Sequence, residues 1–365
     1  MQRLHVLGTL AIALLACAGT QTATSPPMGL VTTCESLGKA RPVCKFQNPE
    51  DLVVLPGDEA ILVSEYGAMQ GGKAGSLSLL SVATEEKKPL FRGGDAKGQT
   101  ALWGDAACPG PPGPEFSPHG IHLAKRSDGA LQLLAVQHGG RESVEFFEVL
   151  GAGMNAHVVW RGCALAPEDA WLNSVAALPE GGFLTTHMLP RSAGFEALVD
   201  SFADPESVLG NVYEWQPDHG YSVMPNTKTL LPNGIEVSPD GTKIFLNASG
   251  AGEVWRMNRS TGEIEARAAV PSLDNARWAP DGRLLVASLL SDTADFAICT
   301  NLESGACPLE FQIVAVDPET METEVLYRGG GPPMGAGTVG LQVGNELFIG
   351  SFAGDRVLRV ALDGR

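Results

Sequence analysis

The segment Leu231-Pro232-Asn233-Gly234-Ile235-Glu236-Val237-Ser238-Pro239-Asp240-Gly241-Thr242-Lys243-Ile244-Phe245-Leu246-Asn247 sets the pattern of the chain. A polar residue precedes a short alternating strand, a Pro-Asp-Gly turn follows, and a second apolar strand ends the unit. Proline presets the first turn torsion and Asp-Gly accepts the positive φ that closes the turn, so the spacing predicts a β-hairpin. Five other segments repeat this order with different residues. Glu50-Asp51-Leu52-Val53-Val54 turns at Pro56-Gly57-Asp58 into Ala60-Ile61-Leu62-Val63, and His119-Gly120-Ile121-His122-Leu123 turns at Ser127-Asp128-Gly129 into Leu131-Gln132-Leu133-Leu134-Ala135-Val136. Asn173-Ser174-Val175-Ala176-Ala177 runs through Pro179-Glu180-Gly181-Gly182 to Phe183-Leu184-Thr185-Thr186. Asp274-Asn275-Ala276-Arg277-Trp278 passes Pro280-Asp281-Gly282 to Leu284-Leu285-Val286-Ala287, and Thr338-Val339-Gly340-Leu341-Gln342-Val343 passes Gly344-Asn345 to Leu347-Phe348-Ile349-Gly350.

Six hairpins at long, uneven intervals leave room for a four-stranded sheet in each unit, which a β-solenoid would not. The expected fold is all-β: a six-bladed β-propeller with a central channel. In that architecture the innermost strand of every blade starts at the same end of the channel. The polar residues that open the units, Glu50, His119, Asn173, Asn233 and the pair Asp274-Asn275, are therefore expected to face one another across the axis, with Thr338 or Gly337 a neutral sixth member. The alternative is that polar residues merely start strands; small turn formers would then be expected rather than Glu and His. The 44 glycines and 25 prolines agree with many short strands and turns.

Three connections between hairpins are candidates for shaping a pocket. Gly104 to Pro118 is a rigid, proline-rich turn. Met188 to Met224 is a candidate lid, with a helix-like patch from Phe195 to Phe202 and the aromatics Tyr213, Trp215 and Tyr221. The alternative for it is outer strands of the third blade plus a surface helix. Ser291 to Leu309 reads as a disulfide-closed flap.

Charge narrows the partners. The formal net charge is -17, which disfavours nucleic acid and anionic lipid head groups and tolerates divalent cations. Residues 1–16 read as a secretion signal, with Arg3 before an apolar run too short to remain as a membrane span. Leu14-Leu15-Ala16-Cys17 resembles a lipobox, which would make Cys17 a lipidated first residue, residues 17–33 a tether, and residues 34–365 the propeller. The expected location is the periplasm or outer membrane, with the lipid as the only membrane contact; ordinary cleavage near Ala16-Cys17-Ala18 would give a secreted protein. Six other cysteines fit an exported chain. Cys34 with Cys44 and Cys299 with Cys307 are near enough to close small loops, which would leave Cys108 and Cys163. The spacing does not prove that pairing, and no CxxC motif suggests a thiolate metal site or redox motif.

The axial set has its own chemistry. Glu50, Asn173, Asn233, Asp274 and Asn275 supply only oxygen donors, and hard oxygen ligands select Ca²⁺ over zinc or copper. Hydrolysis beside such an ion needs a base near neutrality, for which histidine is suited. His119 belongs to the axial set, His138 ends the partner strand of the same hairpin, and His187 follows the second strand of the third unit. For each histidine taken alone, a satisfied structural role is the competing explanation.

From about Cys34 onward the chain resembles the serum paraoxonase/arylesterase family, calcium-dependent lactonases and esterases within the wider group of senescence-marker and gluconolactonase-type propellers. The likeness is carried by Glu50-Asp51-Leu52, Pro118-His119-Gly120-Ile121, Asn173, Asn233-Gly234-Ile235 with Ser238-Pro239-Asp240-Gly241, Asp274-Asn275, and Gly337-Thr338-Val339 with Leu347-Phe348-Ile349-Gly350. It implies a catalytic calcium held by Glu50, Asn173, Asn233, Asp274 and Asn275, a histidine dyad of His119 and His138, and a further active-site histidine at His187. It also implies a second, structural calcium at Asp51 and the carbonyl of Ile121. Two departures stand out. Ser174 occupies the place of an aspartate that ligates the second ion, and residues 357–362 lack the cysteine that would tie the last strand to the N-terminal region, leaving closure to strand pairing with a Cys34–Cys44 brace. The expected function is calcium-dependent hydrolysis of a small lactone or aryl ester. The rival is a non-catalytic metal-containing propeller that binds a ligand or cell-envelope partner, and a third reading is hydrolysis of a phosphotriester or sugar lactone in the same channel.

Overall fold

The computed structural model describes residues 29–362 apart from 69–71, 97–98, 100–102, 195–209, 292–295, 297, 300–301 and 303. The signal segment, Cys17, most of the tether and the helix-like patch from Phe195 to Phe202 lie outside the described residues.

Alternating apolar runs separated by Gly, Pro and Asp turns fold into six antiparallel sheets. The chain begins with β1 (Ala40–Cys44), then builds the first blade from β2 (Pro49–Val54), β3 (Ala60–Glu65), β4 (Ser76–Ser81) and β5 (Lys87–Phe91). The second contains β6 (Trp103–Gly104), β7 (Pro118–Lys125), β8 (Leu131–Gln137), β9 (Ser143–Leu150) and β10 (His157–Leu165). The third has β11 (Ala170–Ala177), β12 (Phe183–Pro190), β13 (Asn211–Gln216) and β14 (Gly220–Val223). The fourth has β15 (Pro232–Val237), β16 (Lys243–Ala248), β17 (Glu253–Asn258) and β18 (Ile264–Ala269). The fifth has β19 (Leu273–Trp278), β20 (Leu284–Leu289), β21 (Phe311–Val316) and β22 (Thr323–Gly329). The last has β23 (Gly337–Val343), β24 (Glu346–Ser351) and β25 (Arg356–Ala361). All six predicted hairpins are present as the inner two strands of a blade. The innermost strands β2, β7, β11, β15, β19 and β23 touch one another in that order, and β23 returns to β2, so the ring is closed. The architecture is a six-bladed β-propeller.

Both faces of the second strand in each blade are buried, and the core divides accordingly. Leu62 and Leu79 pack on Leu133 between the first two blades, Phe183 and Trp215 on Val136 between the second and third, and Ile235 on Leu184 between the third and fourth. Leu284 joins the cluster with the fourth blade, while its neighbour Leu285 joins the cluster with the sixth. This period-two division explains why the second strands read as continuous apolar runs rather than as half-buried strands.

Closure follows the expectation. β1 pairs antiparallel with β25, Ala40 opposite Val360 and Cys44 opposite Arg356, so the N-terminal region completes the last blade. The Cys34–Cys44 disulfide pins that strand locally. Cys108–Cys163 and Cys299–Cys307 are the other two bridges, and three disulfides fit an oxidising compartment. In the 188–224 connection the alternative expectation, outer strands of the third blade, holds for the aromatics. Tyr213, Trp215 and Tyr221 lie in β13 and β14, with Trp215 stacked on Phe183 at 5.2 Å, so these aromatics are blade packing rather than lid. The stretch around Cys307 is closed by the Cys299–Cys307 disulfide as expected, and its described part is anchored: Ala306 bridges both Val31 and Gly354, and Cys299, Cys307 and Leu309 are buried in the core.

Candidate functional site

Every innermost strand breaks register with its partner at the same level. The shifts fall between Pro49 and Asp51, Pro118 and Ile121, Leu172 and Val175, Pro232 and Ile235, Leu273 and Ala276, and Gly337 and Val339. Inside those six intervals sit Glu50, His119, Asn173, Asn233, Asp274 with Asn275, and Thr338. A bulge leaves its extra residue unpaired and re-aims the side chain. Here the bulges bring one polar side chain per blade, and two from the fifth, toward the axis. The polar residues thus lie within the strands, in their bulges, and not just ahead of them.

Close packing of the strand starts depends on two glycines. A Cβ on Gly120 would lie 2.5 Å from the carbonyl oxygen of Asn173, and one on Gly234 would lie 2.6 Å from that of Asp274. Only hydrogen at these positions lets neighbouring inner strands approach this closely.

The axial side chains meet. Asn275 Nδ2 donates to Glu50 Oε1 at 2.6 Å across 225 residues of sequence, and the Thr338 hydroxyl donates to the Glu50 carbonyl at 2.7 Å. Asn173 Nδ2 lies 3.1 Å from Met188 Sδ, and Asn233 hydrogen-bonds the Asp274 carboxylate. The asparagine contacts use the side-chain nitrogens. The oxygens Glu50 Oε2, Asn173 Oδ1, Asn233 Oδ1 and Asn275 Oδ1 are buried without any hydrogen-bond partner. Buried polar atoms are normally paired, and an unpaired one costs about 1–3 kcal/mol. Burial first, and then the charge of Glu50, push the Asp274 carboxyl well above the usual carboxylate range. Four partnerless oxygens and two repelling carboxylates match the donor set of a hard divalent cation, which would satisfy the lone pairs and balance the charge. Among the described residues no three His, Cys, Asp or Glu side chains stand together as a metal site; this ring instead joins two carboxylates with three amides.

The histidines flank this ring. His119 Nε2 lies 3.5 Å from Glu50 Oε1, and His119 Nδ1 lies 2.9 Å from His138 Nε2. His138 Nδ1 in turn lies 2.9 Å from each carboxylate oxygen of Glu142. Glu142 is held by the Leu172 N–H at 2.7 Å and by Arg191. The Tyr66 ring packs against both imidazoles, with centroids 4.7 Å from His119 and 5.5 Å from His138. A carboxylate only accepts, so His138 Nδ1 carries the proton and its Nε2 accepts from His119 Nδ1–H. His119 Nε2 is then left with its lone pair toward the ring. His187 does not join this relay by a hydrogen bond: its Nδ1 accepts the Trp171 N–H at 3.1 Å, and its ring packs on Tyr213 at 5.6 Å. Burial pulls its pKa below the usual imidazole value.

Residues 156–287 match the family model of the SMP-30/Gluconolactonase/LRE-like region. The fold is similar to that of a gluconolactonase from Xanthomonas campestris, with a TM-score of 0.52 and 16% identity over 93% of this chain and 99% of that one. Regucalcin, a calcium-binding protein from Agrobacterium tumefaciens, is similar with a TM-score of 0.50 and 13% identity over 93% and 96% of the two chains. A luciferin-regenerating enzyme gives 0.52 and 16% over 88% and 93%. No curated protein matches the chain in sequence.

A second polar layer lies one to three residues further along the inner strands. The groups expected to hold a second calcium lie in this layer. Asp51 Oδ2 accepts from the Ile121 N–H at 2.8 Å and from Arg277, and the Ile121 carbonyl accepts from Arg277 Nη2 at 2.6 Å. A guanidinium thus stands against both groups expected to ligate an ion. Burial pushes the Asp51 carboxyl up to about 7, against the pull of Arg277. Glu142, Tyr66 and Arg277 were not singled out from sequence. Glu142 sits four residues after His138 in the β8–β9 turn, a spacing with no helical meaning there; Arg277 sits two residues after Asn275 on the same strand, a period-two signal that could have marked it as inward-facing.

Proposed function

We propose that the protein is a calcium-dependent hydrolase of small lactones or aryl esters, of the paraoxonase/arylesterase kind. The observation that carries this reading is the group of four buried, partnerless oxygens from Glu50, Asn173, Asn233 and Asn275 beside a histidine relay. Glu50, Asn173, Asn233, Asp274 and Asn275 would hold the ion. When bound, a divalent cation supplies Lewis-acid polarisation of the substrate carbonyl and stabilises the charge that develops on its oxygen. The gluconolactonase and regucalcin likenesses support a lactone substrate and a calcium site.

The chain's own residues supply the proton chemistry. His119 Nε2, unprotonated in the arrangement above, faces the ring and takes the proton of an attacking water. As that proton arrives, the Nδ1 proton of His119 is shared toward His138 Nε2, and the imidazolium that results is stabilised by Glu142. Tyr66 and the buried walls of the first two blades keep the pair from bulk water. His187, as the third histidine, lines the third blade beside Asn173 and orients β11 through the Trp171 amide. The Leu14-Leu15-Ala16-Cys17 sequence supports placing this activity at the periplasmic or outer-membrane surface on a lipid tether.

The test is direct. Purified protein is expected to hydrolyse δ-valerolactone or phenyl acetate, to lose the activity with EGTA, and to regain it with Ca²⁺. Tight calcium binding with no turnover across a lactone and ester panel would instead mark a binding module.

A further inference from the structure

Arg277 is buried on β19, beneath the ring of axial oxygens, and all five of its donor positions have acceptors. Nε donates to the Leu52 carbonyl at 3.0 Å, Nη1 to the Ala276 carbonyl at 2.7 Å and to Glu236 Oε1 at 3.1 Å, and Nη2 to the Ile121 carbonyl at 2.6 Å and to Asp51. These acceptors come from β2, β7, β15 and β19, four of the six inner strands. Two carboxylates and three carbonyls form an all-oxygen shell of the kind a hard cation takes, yet here a covalently attached cation fills it. Glu236 also faces His122, whose Nε2 lies 3.5 Å from its second oxygen. Unlike the upper ring, no oxygen among these acceptors is left without a partner.

We infer that Arg277 is a built-in structural cation that takes the place of a second metal, so that the chain holds one divalent ion and cross-braces its inner strands without another. The inference rests on the calcium reading of the upper ring. Planar geometry suits the role, because a guanidinium satisfies several acceptors spread around one plane, which an ammonium cannot do. The shell it fills is acidic enough to take a metal ion once the guanidinium is removed.

Metal content of calcium-equilibrated, desalted protein tests this, with Tb³⁺ titration as a second count. One ion per chain is expected in the native protein, none in Asp274→Ala, one in Asp51→Asn, and two in Arg277→Ala. Two ions in the native protein overturn the inference, as does an ion that is lost in Asp51→Asn but survives Asp274→Ala, or a folded Arg277→Ala that still holds one. If Arg277→Ala does not fold, the native and Asp51→Asn counts decide. A native protein that holds none would refute the upper-ring reading alone, and a gain from none to one in Arg277→Ala would still uphold the role of Arg277.

Discussion

At His138 two influences oppose each other. Burial pulls its pKa below the ordinary 6.5, and the adjacent Glu142 charge pulls it back up. In the proposed mechanism the relay acts as a base only when neutral, so activity should rise with pH and the acid limb of kcat should lie below pH 6.5. The same shift bears on stability: between the lowered value and 6.5 the unfolded chain binds a proton that the folded one does not, so His138 makes stability fall as pH drops through that window. Glu142→Gln removes the charge and can present an N–H to His138 Nδ1, which favours the wrong tautomer. A fall in kcat of about 10²–10⁴-fold is expected with KM little changed, and the acid limb should move to lower pH. An unchanged pH profile would reduce Glu142 to a structural role. Asp274→Ala should abolish calcium-dependent activity, a loss of about 10²–10³-fold or more, measured as initial rates on phenyl acetate across a calcium series.

At the scale of the strand, the proposed function depends on six bulges at one level and on two close approaches. The bulges turn Glu50, His119, Asn173, Asn233, Asp274 with Asn275, and Thr338 inward. Gly234 lets β15 lie against the backbone of Asp274, with the Ala276 nitrogen and Asn247 Nδ2 also within 2.8 Å of where a Cβ would be. Gly234→Ala must therefore push β15 away from β19. A loss of about 1–3 kcal/mol is expected from overpacking, with weaker calcium binding because Asn233 and Asp274 move apart. Thermal melts with and without Ca²⁺ separate the two effects: a melting temperature lowered equally in both conditions would mean that the ring geometry had survived.

At the scale of the molecule, the ring draws its oxygens from the first, third, fourth and fifth blades, so occupying it ties the propeller across its axis. Chelation should lower the melting temperature and added Ca²⁺ should restore it, by the ordinary linkage of ligand binding to folding. A melt indifferent to EGTA would argue against an ion shared by four blades. Closure is a separate brace. β1 completes the last blade beside β25 and is held by Cys34–Cys44. Replacing both cysteines by serine is expected to cost about 2–4 kcal/mol, read as a lower denaturation midpoint in calcium-saturated protein with its specific activity unaltered below the transition.

Local chemistry alone was enough for the hairpins. Pro-Asp-Gly turns between apolar runs specify each pair of strands whatever surrounds them, and six such pairs imply a closed ring of blades. The residue type at each axial position was legible for the same reason, since a polar side chain recurring at one point of a repeated unit needs a shared destination. Tertiary structure decided what those side chains meet. The bulges that aim them are register shifts between strands and leave no mark in a single strand's pattern. Glu142 reaches His138 through a turn, and Arg277 reaches Asp51 across 226 residues. Whether a buried carboxylate faces a metal ion or a guanidinium depends on which distant side chain arrives beside it, and spacing along one strand carries no information about that.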